Sequence, residues 1–225
     1  MKTHAIQASL AADKARALDL VPVSRETEAR LDRFADLLIQ WQSSINLVAP
    51  STLPNLWTRH IADSLQLLML VEAPILWVDL GSGGGFPGMI IACSLAEQPG
   101  TVVHLVESNQ KKAAFLREAA RATGAPVKVH AMRIEDFAAQ FSERPDVVSA
   151  RALAPLPELL REAHPLLKTG ATGLFPKGQD VESELTEASK YWKFDYNLAS
   201  SRTSPDGHVV VIRSLAPAPL DRNLS

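Results

Sequence analysis

The chain has 225 residues, of which 46% are hydrophobic and 21% charged, and its formal net charge is −2. This composition is typical of a folded α/β domain with a smaller addition, and it excludes a disordered, fibrous or strongly basic protein. The one cysteine, Cys93, excludes both an internal disulfide and a cysteine-based zinc site.

Location and metal content are also constrained by the sequence. No apolar run approaches the roughly 20 residues that span a bilayer. The first 20 residues carry charges where a signal peptide would need an apolar core, at Asp13, Lys14, Arg16 and Asp19. A lone cysteine favours a reducing compartment. We therefore expect a cytoplasmic protein with neither a membrane nor a metal partner.

The first 73 residues are predicted to be helical. An alanine-rich segment, residues 3–19, predicts one helix, and Ser24 is a suitable N-cap for a second. The second helix repeats apolar residues at helical spacing, at Leu31, Phe34, Leu38, Trp41 and Ile45. Prolines in residues 50–54 interrupt the pattern before a third helix, whose apolar face is Trp57, Ile61, Leu65 and Leu68. We interpret residues 1–73 as an N-terminal helical cap.

A glycine-rich stretch, residues 79–88, follows the first apolar strand. Glycine lets a ligand approach the backbone, and a helix beginning near Pro87 is predicted to point free N–H groups at that ligand. From Gly83 the stretch matches G-x-G-x-x-G of dinucleotide-binding proteins. From Asp79 it also matches D-x-G-x-G-x-G, the first motif of Rossmann-like methyltransferases that use S-adenosylmethionine (SAM). The stretch alone favours neither cofactor.

Short apolar strands then alternate with helices. Strands are predicted at residues 75–78, 102–106, 127–130, 146–149, 171–175, 194–199 and 208–213. This alternation predicts an α/β domain with a mostly parallel, doubly wound seven-stranded sheet. A turn at 205–207 predicts that the last two strands form a hairpin with one antiparallel edge strand. We assign residues 74–215 to this domain and expect residues 216–225 to be a disordered tail.

Candidate ligand residues follow the carboxyl ends of the predicted strands, which is where α/β sheets bind ligands. Glu107 lies 22 residues after Gly85, near the spacing at which an acid binds ribose hydroxyls, although it also fits a solvated strand end. The third strand end, near Ile134 and Glu135, is expected to approach adenine; Glu135 equally fits a helix-start acid. A dinucleotide oxidoreductase would need a second βαβαβ half, which is not visible.

Several strings of the sequence together resemble one family. They are residues 46–48, 59–65, 79–88, 106–108, 111–112, 115–116, 149–152 and 177–178. In this order and spacing they resemble the bacterial small-subunit (16S) rRNA guanine 7-methyltransferases, also called glucose-inhibited division protein B. The match covers about residues 40–180. Ala150 and Gly84 depart from the usual pattern of the family.

The resemblance implies a Rossmann-like SAM methyltransferase fold, with SAM as the cofactor. It also implies 16S rRNA, free or within the 30S subunit, as the partner, and the ring nitrogen N7 of a guanine in a conserved loop as the methyl acceptor. By the resemblance, Gly81 and Phe86 line the cofactor site, Ile134 and Glu135 hold the adenine, and Arg151 reaches the methionine side. With the glycine motif and Glu107, the predicted cofactor residues are Gly81, Gly83, Gly85, Phe86, Glu107, Ile134, Glu135 and Arg151.

No catalytic residue is assigned, because guanine N7 carries a free lone pair and loses no proton. Catalysis then consists of positioning the guanine nitrogen in line with the sulfonium of SAM. Cys93 is misplaced for the nucleophile that methylation of a cytosine carbon requires. Residues 149–155 also lack the Asp/Asn-Pro-Pro-aromatic motif of exocyclic amine methylation.

RNA contacts are predicted at a basic rim near the cofactor. The candidates are Arg59, His60, Arg133 and Lys177. His60 fits an interface between cap and core equally well, and the lysines and arginines of residues 109–123 fit a solvated face. Two alternative functions stay open. One is a SAM-binding, RNA-associated regulatory module that transfers no methyl group, and the less favoured one is an NAD-dependent oxidoreductase.

Overall fold

The computed structural model describes residues 2–219, in which one sheet carries helices on both faces. The strands are β1 (Leu76–Leu80), β2 (Val102–Val106), β3 (Val127–His130), β4 (Val147–Ser149), β5 (Thr172–Lys177), β6 (Trp192–Ser200) and β7 (His208–Pro217). The helices are α1 (Lys2–Leu20), α2 (Arg25–Gln42), α3 (Asp63–Leu65), α4 (Gly88–Ser94), α5 (Gln110–Thr123), α6 (Ile134–Gln140), α7 (Leu156–Leu167) and α8 (Val181–Ala188). Among these described helices, none combines the length and apolarity needed to cross a membrane.

The strand order is β3-β2-β1-β4-β5-β7-β6, and β1 to β5 run parallel. This confirms the α/β class and the mostly parallel seven-stranded sheet. β7 runs antiparallel to both of its neighbours, β5 and β6. The antiparallel strand therefore lies one position inside the edge, and β6 is the outermost strand. The sequence predicts the β6–β7 hairpin, but it does not tell which of the two strands pairs with β5.

The last strand continues beyond its predicted end. β7 reaches Pro217, which pairs with Trp192, and Ala216 pairs with Lys193. The expectation of disorder is therefore wrong for residues 216 and 217. The physical reason is that β6 begins at Trp192, earlier than predicted, so β7 must extend to supply its hydrogen-bonding partners. Residues 220–225 of the expected tail lie outside the described residues.

Apolar side chains pack on both faces of the sheet. The apolar stripe of α2 meets α5: the ring centroid of Phe115 lies 6.0 Å from that of Phe34 and 5.8 Å from that of Trp41. The same hydrophobic cluster includes Trp77 of β1. A second cluster covers the opposite face with residues of α6, α7 and α8, among them Phe137, Leu160 and Leu185. The predicted cap thus shares a core with the sheet, and its boundary at residue 73 stays a prediction.

Residues 50–70 are helical but irregular. Pro50–Asn55 forms a 3-10 helix, Trp57–Ala62 a π-helix, and α3 leads into a further 3-10 turn, Gln66–Leu70. The predicted apolar face is nevertheless inward, since Ile61 is fully buried. The wider π-helical turn alters the direction of the side chains that follow it.

Asp13 of α1 fixes the start of this irregular segment. Its carboxylate is 2% exposed, and its Oδ2 accepts the N–H groups of Trp57 (2.8 Å) and Thr58 (3.1 Å). Its Oδ1 accepts the Thr58 hydroxyl (2.6 Å) and pairs with Arg16 (2.6 Å). These bonds satisfy amides that a helix start leaves free. α1 therefore anchors the segment, a role that the sequence did not reveal.

A fully buried carboxylate, that of Asp79, joins β1, β4 and α4. Its Oδ1 accepts the Ser149 hydroxyl (2.7 Å), whose oxygen in turn accepts Nε1–H of Trp77 (2.8 Å). Its Oδ2 accepts the N–H of Gly88 at the start of α4 (3.1 Å). Burial raises the pKa of Asp79 to about 6, although these hydrogen bonds act in the opposite direction. The residue stabilises the junction beneath the glycine-rich turn.

Replacing Asp13 by alanine is expected to destabilise the fold, because two backbone N–H groups and a hydroxyl lose their acceptor. The expected loss in the free energy of unfolding is about 2 kcal/mol. Urea unfolding of wild type and D13A measures this loss. D19A is the control, because Asp19 is an exposed acid on the same helix. Equal stability of the two variants would contradict the anchoring role.

Asp79 predicts a specific pH dependence of stability. Its folded pKa of about 6 exceeds the ordinary value near 4, so between these pH values the folded state binds more protons than the unfolded state. The contribution of Asp79 to the free energy of unfolding therefore falls as pH rises from about 4 to about 6, by on the order of 2–3 kcal/mol. Urea unfolding from pH 4 to 7 should show this loss in wild type relative to D79N. A difference in unfolding free energy between wild type and D79N that does not change with pH would refute this prediction.

Candidate functional site

The glycine-rich turn follows β1 directly. Gly81 has a φ of +67°, and a Cβ there would lie 2.6 Å from Cδ1 of Leu153. Glycine is therefore required where the turn passes the loop after β4. Gly85, with a φ of +92°, instead packs against helices: a Cβ would lie 3.0 Å from Cβ of Met89 and 3.2 Å from the Phe34 ring.

The start of α4 differs from the prediction. The first N–H group of the helix, that of Gly88, is bound by Asp79, and the N–H of Met89 donates to the carbonyl of Gly85 (3.0 Å). The expectation that these amides point freely at a ligand is wrong, because the Asp79 carboxylate binds that of Gly88 and a turn carbonyl accepts that of Met89. The turn backbone before the helix, rather than the helix end, borders the cavity described next.

A cavity of about 500 Å³ lies over the carboxyl ends of the parallel strands. Seven of the eight predicted cofactor residues line it: Gly81, Gly83, Phe86, Glu107, Ile134, Glu135 and Arg151. Gly85 is not among its lining residues, because it faces α2 and α4. The structure therefore brings the predicted set together, with Gly85 as a packing residue behind the turn.

Glu107 directly follows β2 and lines this cavity. Its Oε2 accepts the N–H of Gly83 (2.9 Å), and its Oε1 accepts the N–H of Asn109 (2.7 Å). The side chain is held in place by the backbone and is not a solvated strand-end glutamate, since the residue is only 9% exposed. Each carboxylate oxygen has a second lone pair that can accept a hydroxyl.

Arg151, just after β4, connects the sheet to the irregular helix. Its Nη2 donates to Nδ1 of His60 (2.8 Å), and its Nη1 donates to Oδ2 of Asp63 (3.3 Å) and to the carbonyl of Arg59 (3.2 Å). The guanidinium carbon lies 5.0 Å from the centroid of the Phe86 ring, within cation–π range. Four contacts therefore fix its position at the edge of the cavity.

His60 is neutral, and its tautomer follows from its partners. A guanidinium only donates hydrogen bonds, so Nδ1 of His60 must be the acceptor, and the proton lies on Nε2, which donates to Oγ1 of Thr52 (2.8 Å). Burial, with smaller effects of Arg151 and Arg59, lowers the pKa of His60 to about 3. Both ring nitrogens are thus occupied. The interface alternative describes this histidine better than a direct RNA contact does.

A second cavity, of about 710 Å³, adjoins the first. The two share His60, Arg151, Ala152 and Leu153 as lining residues. Of the remaining predicted substrate residues, Arg59 and Lys177 line the second cavity, whereas Arg133 lines only the first. The four predicted substrate residues are therefore divided between the two cavities.

Lys177 is held in an ion pair inside the second cavity. Its Nζ lies 2.7 Å from Oε2 of Glu184 and donates to the carbonyl of Ala154 (2.8 Å). The same Glu184 oxygen accepts the N–H of Leu156 at the start of α7 (2.6 Å). The pair therefore shapes the loop between β4 and α7, and its positive charge is largely neutralised.

Two residues that sequence reasoning missed line the cavities. Glu162 of α7 borders the first, and His208 of β7 borders the second. Within the described part of the chain, Oε2 of Glu162 and Nδ1 of His208 are buried without a hydrogen-bond partner. Both residues lie inside regular elements, where no local motif marks them. No group of three or more His, Cys, Asp or Glu side chains in residues 2–219 is placed to hold a metal ion.

Comparisons with known proteins agree with this architecture. The family model described as rRNA small subunit methyltransferase G (GidB) matches residues 27–211. A protein of Bradyrhizobium sp. strain BTAi1 called ribosomal RNA small subunit methyltransferase G is 62% identical over 213 residues, which is 94% of this chain and 96% of that protein. One with the same name from Rhodopseudomonas palustris strain BisB18 is 56% identical over 92% of this chain and 89% of its own length.

Solved structures support the fold. An O-methyltransferase from Bacillus cereus in complex with SAH superposes with a TM-score of 0.60 over 93% of this chain and all of its own, at 15% identity. The O-methyltransferase TomG from Streptomyces achromogenes gives a TM-score of 0.58 over 89% of this chain and 95% of its own, at 12% identity. At such identities the similarity concerns the Rossmann-like fold alone. The family model and the close relatives confirm the resemblance seen in the sequence: the chain belongs to the rRNA small subunit methyltransferase G family.

Proposed function

We propose that this protein transfers a methyl group from SAM to N7 of a guanine in a conserved loop of 16S rRNA, in the cytoplasm. One observation carries the proposal: two cavities of suitable size adjoin at a shared wall centred on Arg151. Two substrates can react only when their binding sites open onto each other. The names of the relatives give the class of the acceptor, small-subunit ribosomal RNA, and the reaction, methyl transfer.

The first cavity fits SAM in both chemistry and size. Glu107 offers fixed acceptors for the ribose hydroxyls, and Gly81 and Gly83 line the cavity. Ile134 and Glu135 would hold the adenine, and Arg151 would lie on the methionine side. When bound there, SAM supplies an electrophilic methyl group on a positively charged sulfur.

The protein provides position rather than proton transfer. His60 has both ring nitrogens hydrogen-bonded and a pKa of about 3, so it does not serve as a general base at neutral pH. Cys93 is fully buried inside α4, where burial raises the pKa of its thiol to about 12, so it does not serve as a nucleophile. Guanine N7 needs neither group, because it accepts the methyl group without losing a proton.

The second cavity would receive the guanine, and exposed cations at the two openings would hold the RNA backbone. Arg59 and Arg133 are exposed and suit phosphate contacts. Lys177 and His60 are already paired, so they would shape the wall against the base instead of binding phosphate. This division assigns distinct tasks to the four predicted substrate residues.

Methyl transfer tests the function directly. Labelled SAM is offered to free 16S rRNA and to 30S subunits, and the RNA is digested for nucleoside analysis. We expect the label in 7-methylguanosine, and the better of the two substrates identifies the assembly stage. SAM binding without transfer would contradict the proposal and favour the regulatory-module alternative. A melting temperature raised by NAD but not by SAM would favour the oxidoreductase.

Arg151 and Arg59 should separate the two binding events. R151A is expected to weaken SAM binding at least about tenfold. The proposed charge-assisted contact of Arg151 with the methionine part of SAM is lost, and the Phe86 ring loses the cation beside it. Because the Arg59 side chain is exposed, R59A should leave SAM affinity unchanged. It should weaken RNA binding, and the slope of the logarithm of the RNA-binding constant against the logarithm of the salt concentration should become shallower by about one. Calorimetry and RNA binding at several salt concentrations measure both effects. Equal SAM affinity in the two variants would refute the assignment.

A further inference from the structure

Glu162 is the least satisfied polar side chain of the first cavity. It lies in the middle of α7 and borders the cavity. Within the described residues, its Oε2 is shielded from solvent and has no hydrogen-bond partner. Such burial is costly for a carboxylate oxygen unless a donor is supplied. A ligand that places a donor group at this end of the cavity would satisfy the oxygen.

The position of Glu162 distinguishes the two ends of the cavity. The wall shared with the second cavity contains Arg151 and Leu153, but neither Glu162 nor Glu135. Glu162 and Glu135 both line the first cavity, and the charge of Glu135, after burial, contributes to raising the pKa of Glu162. The acidic end of the cavity is therefore the end away from the acceptor site.

SAM carries three kinds of hydrogen-bond donor. The ammonium belongs to the methionine part, which must lie near the acceptor cavity together with the reacting sulfur. The ribose hydroxyls match Glu107, whose carboxylate is fixed by backbone N–H groups. Only the 6-amino group of adenine then remains for the acidic end.

We propose that Glu162 accepts a hydrogen bond from the adenine 6-amino group and thereby selects adenine over hypoxanthine as the base of the cofactor. The inference rests on the proposed SAM site and adds a specificity residue from α7 to it. A carboxylate accepts from an amine but repels the carbonyl oxygen that hypoxanthine carries at the same position. Glutamine in its place offers an amide that donates to that oxygen.

The test compares the binding of two ligands by calorimetry. S-adenosylhomocysteine carries the amino group, and S-inosylhomocysteine carries an oxygen in its place. In wild type the adenosyl ligand should bind at least about a hundredfold more tightly. In E162Q this ratio should fall at least about tenfold, with weaker adenosyl binding and stronger inosyl binding. An inactive fraction of protein cancels from the ratio, because both ligands are measured on one preparation.

E158Q is the matched control, since Glu158 lies one turn earlier on α7 and is not a lining residue of the first cavity. Its ratio should equal that of wild type. An E162Q ratio within about twofold of the control would overturn the inference while leaving the SAM site intact. If wild type failed to bind S-adenosylhomocysteine at all, the proposed function would fail, and this inference with it.

Discussion

The buried carboxylate of Asp79 is the interaction on which the site depends. It lies beneath the glycine-rich turn and binds β4 through Ser149 and α4 through the amide of Gly88. A side chain at Gly88 would collide with this carboxylate and with Leu105. Two strands and a helix are therefore joined at one point with no spare volume. The turn that lines the first cavity starts from this tightly packed junction.

A second layer of support comes from the helical cap. Asp13 fixes the start of the irregular segment, which carries His60 and Asp63, and these two residues hold Arg151. The chain of contacts thus runs from α1 to the end of β4. The cap is thus part of the positioning apparatus, which explains why its residues share a core with the sheet.

Local patterns and strand-end chemistry could be predicted from the sequence, whereas long-range contacts could not. Ser24 caps α2 as expected because a cap needs only residues three positions apart. The sequence predicts that Glu107 and Arg151 lie near each other because carboxyl ends of parallel strands meet at one edge of the sheet, and both line the first cavity. The packing of Gly85 against Phe34 could not be foreseen, because Phe34 is distant in sequence. Glu162 lies in a regular helix whose orientation only the fold determines, so no motif could mark it.

Arg151 belongs to the walls of both cavities, and this has a thermodynamic consequence. Any adjustment of its guanidinium that improves the fit of one ligand also changes the surface offered to the other. The two binding equilibria form a closed cycle, so the factor by which cofactor alters RNA affinity equals the factor by which RNA alters cofactor affinity. The order of arrival changes the route to the ternary complex and leaves its stability the same. In the proposed function, one side chain would thereby couple the occupancy of two sites.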